Sequence, residues 1–173
     1  MFRDLKAEEI DCRISTVKEN GLSLLLYKDA RVDMDILDET VGNMNWQRKH
    51  TRDNANCTIE IWDKGKSQWI SKEDTGTESF TEKEKGLASD SFKRAGFNWG
   101  IGRELYTAPF IWINADDCAI KDSGRKDSYG RPIYTSNDKF YVEAIQITDK
   151  VITGLAIKNS RTNKRVFVYK KGE

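Results

Sequence analysis

Histidine and proline are nearly missing from this sequence: His50 is the single imidazole, and the two prolines stand at positions 109 and 132. A lone imidazole without partners builds neither a catalytic triad nor a zinc centre. Cysteine is scarce as well. Cys12, Cys57 and Cys118 are odd in number and far apart, which excludes a disulfide framework and any zinc-ligand spacing and leaves reduced thiols as the expectation. No run approaches the roughly 20 apolar residues that cross a bilayer. The opening MFRDLKAEEID is charged from its third residue and has no apolar signal core, so the expected compartment is the cytoplasm.

Nucleotide-binding motifs are absent in substance. Gly65-Lys66-Ser67 looks like the end of a phosphate-binding loop, but the position of that motif's first glycine is held by Glu60, and a strand pattern follows. Gly100 and Gly102 begin a dinucleotide fingerprint that Leu105 breaks, and the helix comes before these glycines instead of after them. Asp33, Asp35, Asp38 and Glu39 are the best candidates for a divalent metal. On a helix Asp33 and Asp35 point apart, and acids at a helix start complement its dipole. The expectation is a chain with no catalytic centre and no cofactor.

What is present is charge and aromatic surface. Of 173 residues, 33% are charged and 10% aromatic, including five tryptophans, a composition that excludes disorder. The net charge is +1, unevenly spread: residues 150–173 hold seven Lys/Arg against Glu173. Such asymmetry marks either a nucleic-acid face or a solvated edge hairpin kept from aggregating by its lysines.

Along the chain, Leu5, Ile10, Ile14 and Val17 suggest an amphipathic helix over 6–20, ended by Gly21. LSLLLYK (22–28) reads as a buried strand. A helix is expected from Asp33 or Asp35, with Met34, Leu37 and Val41 at helical spacing and Gly42 as its stop. Residues 45–51, 57–63 and 67–74 read as strands, with a hairpin turn at Asp63-Lys64-Gly65-Lys66. Thr81 and Glu84 form a capping box that opens the strongest helix, whose apolar stripe is Ala88, Phe92, Ala95 and Trp99. Residues 107–113 read as extended and 114–138 as a long polar loop. Three strands follow, over 139–148, 151–157 and 165–171. The fold class expected is α+β.

Cations recur beside aromatics. Lys85 and Lys93 lie eight apart on the long helix and so share a side; Arg94 is adjacent, Arg103 follows the helix and Arg31 precedes the first acidic one. Cations on rigid elements can track phosphates while aromatic rings stack bases, the usual design for sequence-tolerant single-strand binding. Solvated lysines, and an Asp90–Arg94 pair one helical turn apart, are the alternative.

Three segments occur in an order that resembles the annealing domain of the Rad-fifty-two-like single-strand annealing protein family, in its short phage-type form. They are LLLYKDARVDMDILDETVGNMNWQRKH, SQWISKEDTGTESF and EKEKGLASDSFKRAGFNWGIGRELY, and the likeness spans about residues 12 to 106. It implies an antiparallel β-β-β-α core with one long signature helix, taken as 1–113. Residues 107–173 match nothing in the family, and the polar loop 114–138 and the C-terminal basic β-hairpin or meander over 139–173, expected in the same domain, are read from the residues themselves. It implies ATP-independent binding of single-stranded DNA and annealing of complementary strands in recombination and repair, in an oligomeric ring within a bacterial host cell. A host or phage single-strand-binding protein or exonuclease is an expected partner, and a membrane is not. By motif position Arg31, Lys85, Lys93 and Arg94 grip phosphates; the family's next basic position is Phe97 here, and the candidates to compensate for it are Arg103 and the basic C-terminal hairpin. The rival readings are a coating protein that blocks pairing, a structural protein that reuses the fold, and a nuclease using the acids at 33–39.

Overall fold

The computed structural model describes residues 1–77 and 83–172, with the side chains of 83–85 left out. In chain order the elements are β1 (Asp11–Lys18), β2 (Gly21–Tyr27), α1 (Ala30–Val41), β3 (Trp46–Thr51), β4 (Asn56–Asp63), β5 (Gln68–Thr75), α2 (Lys83–Trp99), β6 (Ile111–Asn114), β7 (Lys121–Lys126), β8 (Pro132–Thr135), β9 (Phe140–Thr148), β10 (Val151–Asn159) and β11 (Arg165–Lys170). They divide into two compact units, Met1–Leu5 with Asp29–Arg103, and Lys6–Lys28 with Glu104–Glu173.

In the first unit β3, β4 and β5 form an antiparallel sheet. The alternation in NCTIEIWD turns Cys57, Ile59 and Ile61 inward, where they are buried and where α2 packs on β4 and β5. Phe92 and Ala95 of α2 are fully buried, and the Trp46 ring stacks on Phe92 at 6.2 Å. Gly76 lets the end of β5 approach α2 closely: a Cβ there would stand 2.6 Å from the backbone nitrogen of Ser91. Helix α1 starts earlier than its apolar spacing suggests, because Asp29 caps it by accepting the Arg31 N–H at 2.8 Å. Gly42 ends it with φ +84°, its N–H donating to the Asp38 carbonyl.

The second unit is a six-stranded antiparallel sheet in the order β11-β10-β9-β1-β2-β6, curled until β11 comes against β6 into a nearly closed barrel. Leu22, Leu24, Ile113, Val142, Ile152 and Ile157 are buried on its strands. β7 and β8 add a separate hairpin, and β8 contacts β1.

This architecture overturns the expected β-β-β-α annealing-domain core with one long signature helix and an added C-terminal meander. The molecule is α+β but mostly strand, with two helices, and its largest sheet is the barrel-like one. The C-terminal strands are integral to that sheet, since β9 pairs with β1 through Tyr141 and Asp11. The helix expected over 6–20 is a short 3-10 turn at Ala7–Glu9 and then β1. A register shift between Ile14 and Thr16 explains the misreading. It breaks the alternation of Cys12 and Ile14 and places Val17 three residues on, which imitates a helical stripe. Residues 114–138, expected as a loop, contain β7 and β8. Thr81 of the expected capping box lies outside the described residues.

Candidate nucleic-acid interface

Four of the five candidate cations have described side chains, and all of these stand on the first unit. The side chain of Lys85 lies outside the described residues.

Arg31 projects from the first turn of α1, with its side chain 83% exposed, and its Nε donates to Asp29 Oδ1 at 2.9 Å. Asp29 also feels the charge of Lys93, across from α1 on α2. Its carboxyl is held below the usual range, first by the Arg31 hydrogen bonds and with a smaller contribution from Lys93. Arg31 is thus hydrogen-bonded to Asp29, and Lys93, 62 positions further along the chain, acts on the same carboxylate only through space. Helix α2 comes close to α1 here because Gly96 has no side chain; a Cβ would stand 3.2 Å from Oδ1 of the buried Asp33.

Arg94, one residue along, faces the sheet. Its Nε lies 3.3 Å from Asp74 Oδ1 on β5, and Asp74 also accepts from Asn98. The expected partner Asp90 is used elsewhere, accepting from the N–H of Thr77 at 2.9 Å. Arg103 folds back on the C-terminus of α2 and donates to the carbonyls of Phe97 and Asn98 at 2.8 and 3.3 Å. It shares these carbonyls with the Gly100 N–H and Lys72 Nζ, and a guanidinium at this end also complements the negative end of the dipole. Arg103 is thus a cap on α2, seated at the backbone of the position where the family pattern has a basic side chain.

Lys72 on β5 escaped the sequence reading. Its Nζ donates to the Asn98 carbonyl at 2.8 Å and stands 4.6 Å above the Trp99 ring. The signal was present: in the alternating run QWISKEDT, Lys72 shares a face with Ile70. Arg48 on β3 likewise covers Phe92 at 4.8 Å. The unit therefore carries Arg31 and Lys93 at one group, and Lys72, Arg94 and Arg103 in structural contacts around the end of α2.

The acidic run does not gather. Asp38 accepts from Trp46 Nε1 at 2.6 Å, Glu39 from Arg3 at 2.6 Å, and Asp33 is buried towards Gly96. Among the described residues no cluster of His, Cys, Asp or Glu is placed to hold a metal. His50 lies 3.5 Å from the Ser91 hydroxyl, its pKa lowered by burial and by Arg48. All three cysteines are free. Burial pushes the thiols of Cys12 and Cys57 up to about 12 and about 11, which leaves them poor nucleophiles.

The C-terminal positive charge is partly neutralised within its own unit, where three acids pair with four of the seven bases. Lys158 and Arg165 both pair with Glu143, Arg161 with Asp138, and Lys150 stands 3.9 Å from Glu104. All three acids come from before residue 150, so a local charge count misses them. Among the described residues no helix is long and apolar enough to cross a membrane. Compared with known proteins, the chain matches no family model, no curated protein and no solved structure.

Proposed function

We propose that the chain binds single-stranded DNA through Arg31, Lys93 and Arg94 and speeds the pairing of complementary strands without nucleotide hydrolysis, acting as an oligomeric ring. The observation that carries this reading is that α1, which presents the 83% exposed Arg31 paired with Asp29, packs against α2, which carries Lys93 and Arg94. Cations carried on packed helices can contact phosphates, and backbone contacts at this interface leave the base edges there free to test a partner strand. Duplex formation then supplies the driving free energy. Arg103 supports the interface indirectly by holding the end of α2.

The test is the pairing rate of two complementary labelled oligonucleotides at low salt, without nucleotide, with wild type and with Arg31→Ala and Lys93→Ala. Acceleration by wild type that both variants reduce is the expected result. Tight binding that slows pairing would identify a coating protein instead, and absence of binding would overturn the reading.

A further inference from the structure

The β7–β8 hairpin presents an aromatic ring that belongs to no core: Tyr129, at its tip, is 82% exposed. Single exposed aromatics are common, so exposure alone decides nothing. The construction around this one is more telling. Asp127 Oδ1 accepts the N–H groups of Tyr129 and Arg131, both at 2.9 Å, and its Oδ2 accepts Arg131 Nε at 2.8 Å. The backbone of Asp127 closes the same turn, donating to the Arg131 carbonyl and accepting from Gly130, whose φ of +79° suits glycine. One carboxylate therefore fixes the tip and aims the Arg131 guanidinium over the Tyr129 ring, 5.2 Å from its centroid. The turn that presents the ring is fixed by its own hydrogen bonds, so stacking on it needs no rearrangement of the backbone.

The surroundings carry the opposite charge to a phosphate backbone. Residues 121–131 hold Lys121, Arg125, Lys126 and Arg131 against Asp122 and Asp127. Both acids are spent on backbone turns, Asp122 accepting the Gly124 N–H at 2.8 Å, while Lys121, Arg125 and Lys126 are exposed. Beside the tip a cleft of about 610 Å³ opens between the end of β1 and β8. Val17, Ile133 and Tyr134 give it an apolar lining, and Lys18, Glu19 and Arg131 a polar one. Its size falls within the roughly 300–1,000 Å³ of sites that take small organic groups.

We propose that this hairpin is a base-stacking arm for single-stranded DNA. One base stacks on Tyr129, the flanking phosphates meet Arg125 and Lys126, and the cleft receives a neighbouring base with Lys18 and Arg131 beside it. The arm rests on the reading of the chain as a single-strand binder and gives that reading a second contact, through bases rather than phosphates.

Fluorescence anisotropy with a labelled oligothymidylate and an abasic deoxyribose-phosphate strand of equal length separates the two. Tyr129→Ala should weaken binding of the thymidylate roughly tenfold and leave the abasic strand within about twofold, because a strand without bases has nothing to stack. Tyr129→Phe should retain wild-type affinity for both. Lys93→Ala should weaken both strands alike, which reports the phosphate interface independently. If wild type binds the thymidylate but Tyr129→Ala weakens neither strand, or both equally, the arm is overturned and the phosphate interface stands. If wild type binds neither strand, both readings fall.

Discussion

Oδ1 of Asp29 accepts two hydrogen bonds from Arg31, one from the backbone N–H at 2.8 Å and one from Nε at 2.9 Å. The first caps α1, and the second holds the guanidinium that is proposed to meet a phosphate. The two roles separate by substitution. Asn caps a helix as well as Asp does but carries no charge. Asp29→Asn should therefore keep the melting temperature of wild type while removing a negative charge beside Arg31 and Lys93. Binding of an oligothymidylate should tighten by about two- to fivefold at low salt, with the gain shrinking as salt screens it. Unchanged affinity at low salt would mean that DNA does not pass this carboxylate.

Lys93 and Arg94 are neighbours with different surroundings, so their substitutions should differ in kind. Among the described residues Lys93 makes no ion pair and acts on Asp29 through space, whereas Arg94 lies 3.3 Å from Asp74. Lys93→Ala should weaken all single-stranded sequences alike and reduce the salt slope of binding by about one, with little change in stability. Arg94→Ala should lower affinity and also cost up to about 1 kcal/mol of stability, because the pair it loses is partly exposed. Denaturant titration beside salt-dependent binding distinguishes them. A Lys93→Ala protein with wild-type affinity and salt slope would remove Lys93 from the interface.

Much of the first unit was legible in the sequence. Phe92 and Ala95 follow a helical period, and Cys57, Ile59 and Ile61 follow a strand period undisturbed by bulges. The barrel was not legible, for two reasons. The shift at Ile14 and Thr16 scrambles the period of β1, and the pairing of Asp11 with Tyr141 is a choice of distant partner that no local pattern encodes. The candidate site divides the same way. The residue types and positions of Arg31 and Lys93 could be read directly, but the cap Asp29 could not, because the apolar spacing puts the helix start at Asp33 or Asp35. The partners of Arg94 and Lys72 could not, because Asp74 and the Asn98 carbonyl reach them only after α2 packs on β5.

Asp138 makes stability depend on acid. It is 7% exposed and accepts from Arg161 Nε at 2.6 Å, Asn159 Nδ2 at 2.8 Å and the Ala119 N–H at 2.8 Å. Arg161 above all, helped by Ala119 and Asn159, lowers its pKa from 3.8 to about 2. A carboxyl whose folded pKa is depressed stabilises the fold fully above its unfolded value and loses that contribution as pH falls through the folded one. The network should thus supply about 2 kcal/mol at neutral pH, lost between about pH 4 and about pH 2. Asp138→Asn should melt well below wild type at pH 7 and approach it on acidification. A gap that stays constant down to pH 2 would show that the carboxylate charge contributes nothing.

Gly21 lies at the end of β2 that pairs with Asn114 of β6. A Cβ at this position would stand 2.5 Å from the Ile113 carbonyl oxygen and 2.5 Å from the ring of Trp112. The ring might be moved by rotation of its own side chain alone were it not for the carbonyl, which belongs to the strand that pairs with β2 through Gly21 and Asn114. Relief therefore requires β6 itself to shift, and overpacking of this kind costs about 1–3 kcal/mol. Gly21→Ala should destabilise the protein by that amount and displace Trp112 from its stack on Phe110, where the ring centroids are 6.4 Å apart. Trimming the ring with Trp112→Leu should restore only part of the loss, since the Ile113 carbonyl stays in place. Full restoration would show that side-chain crowding alone, and not the approach of the two backbones, demands glycine here.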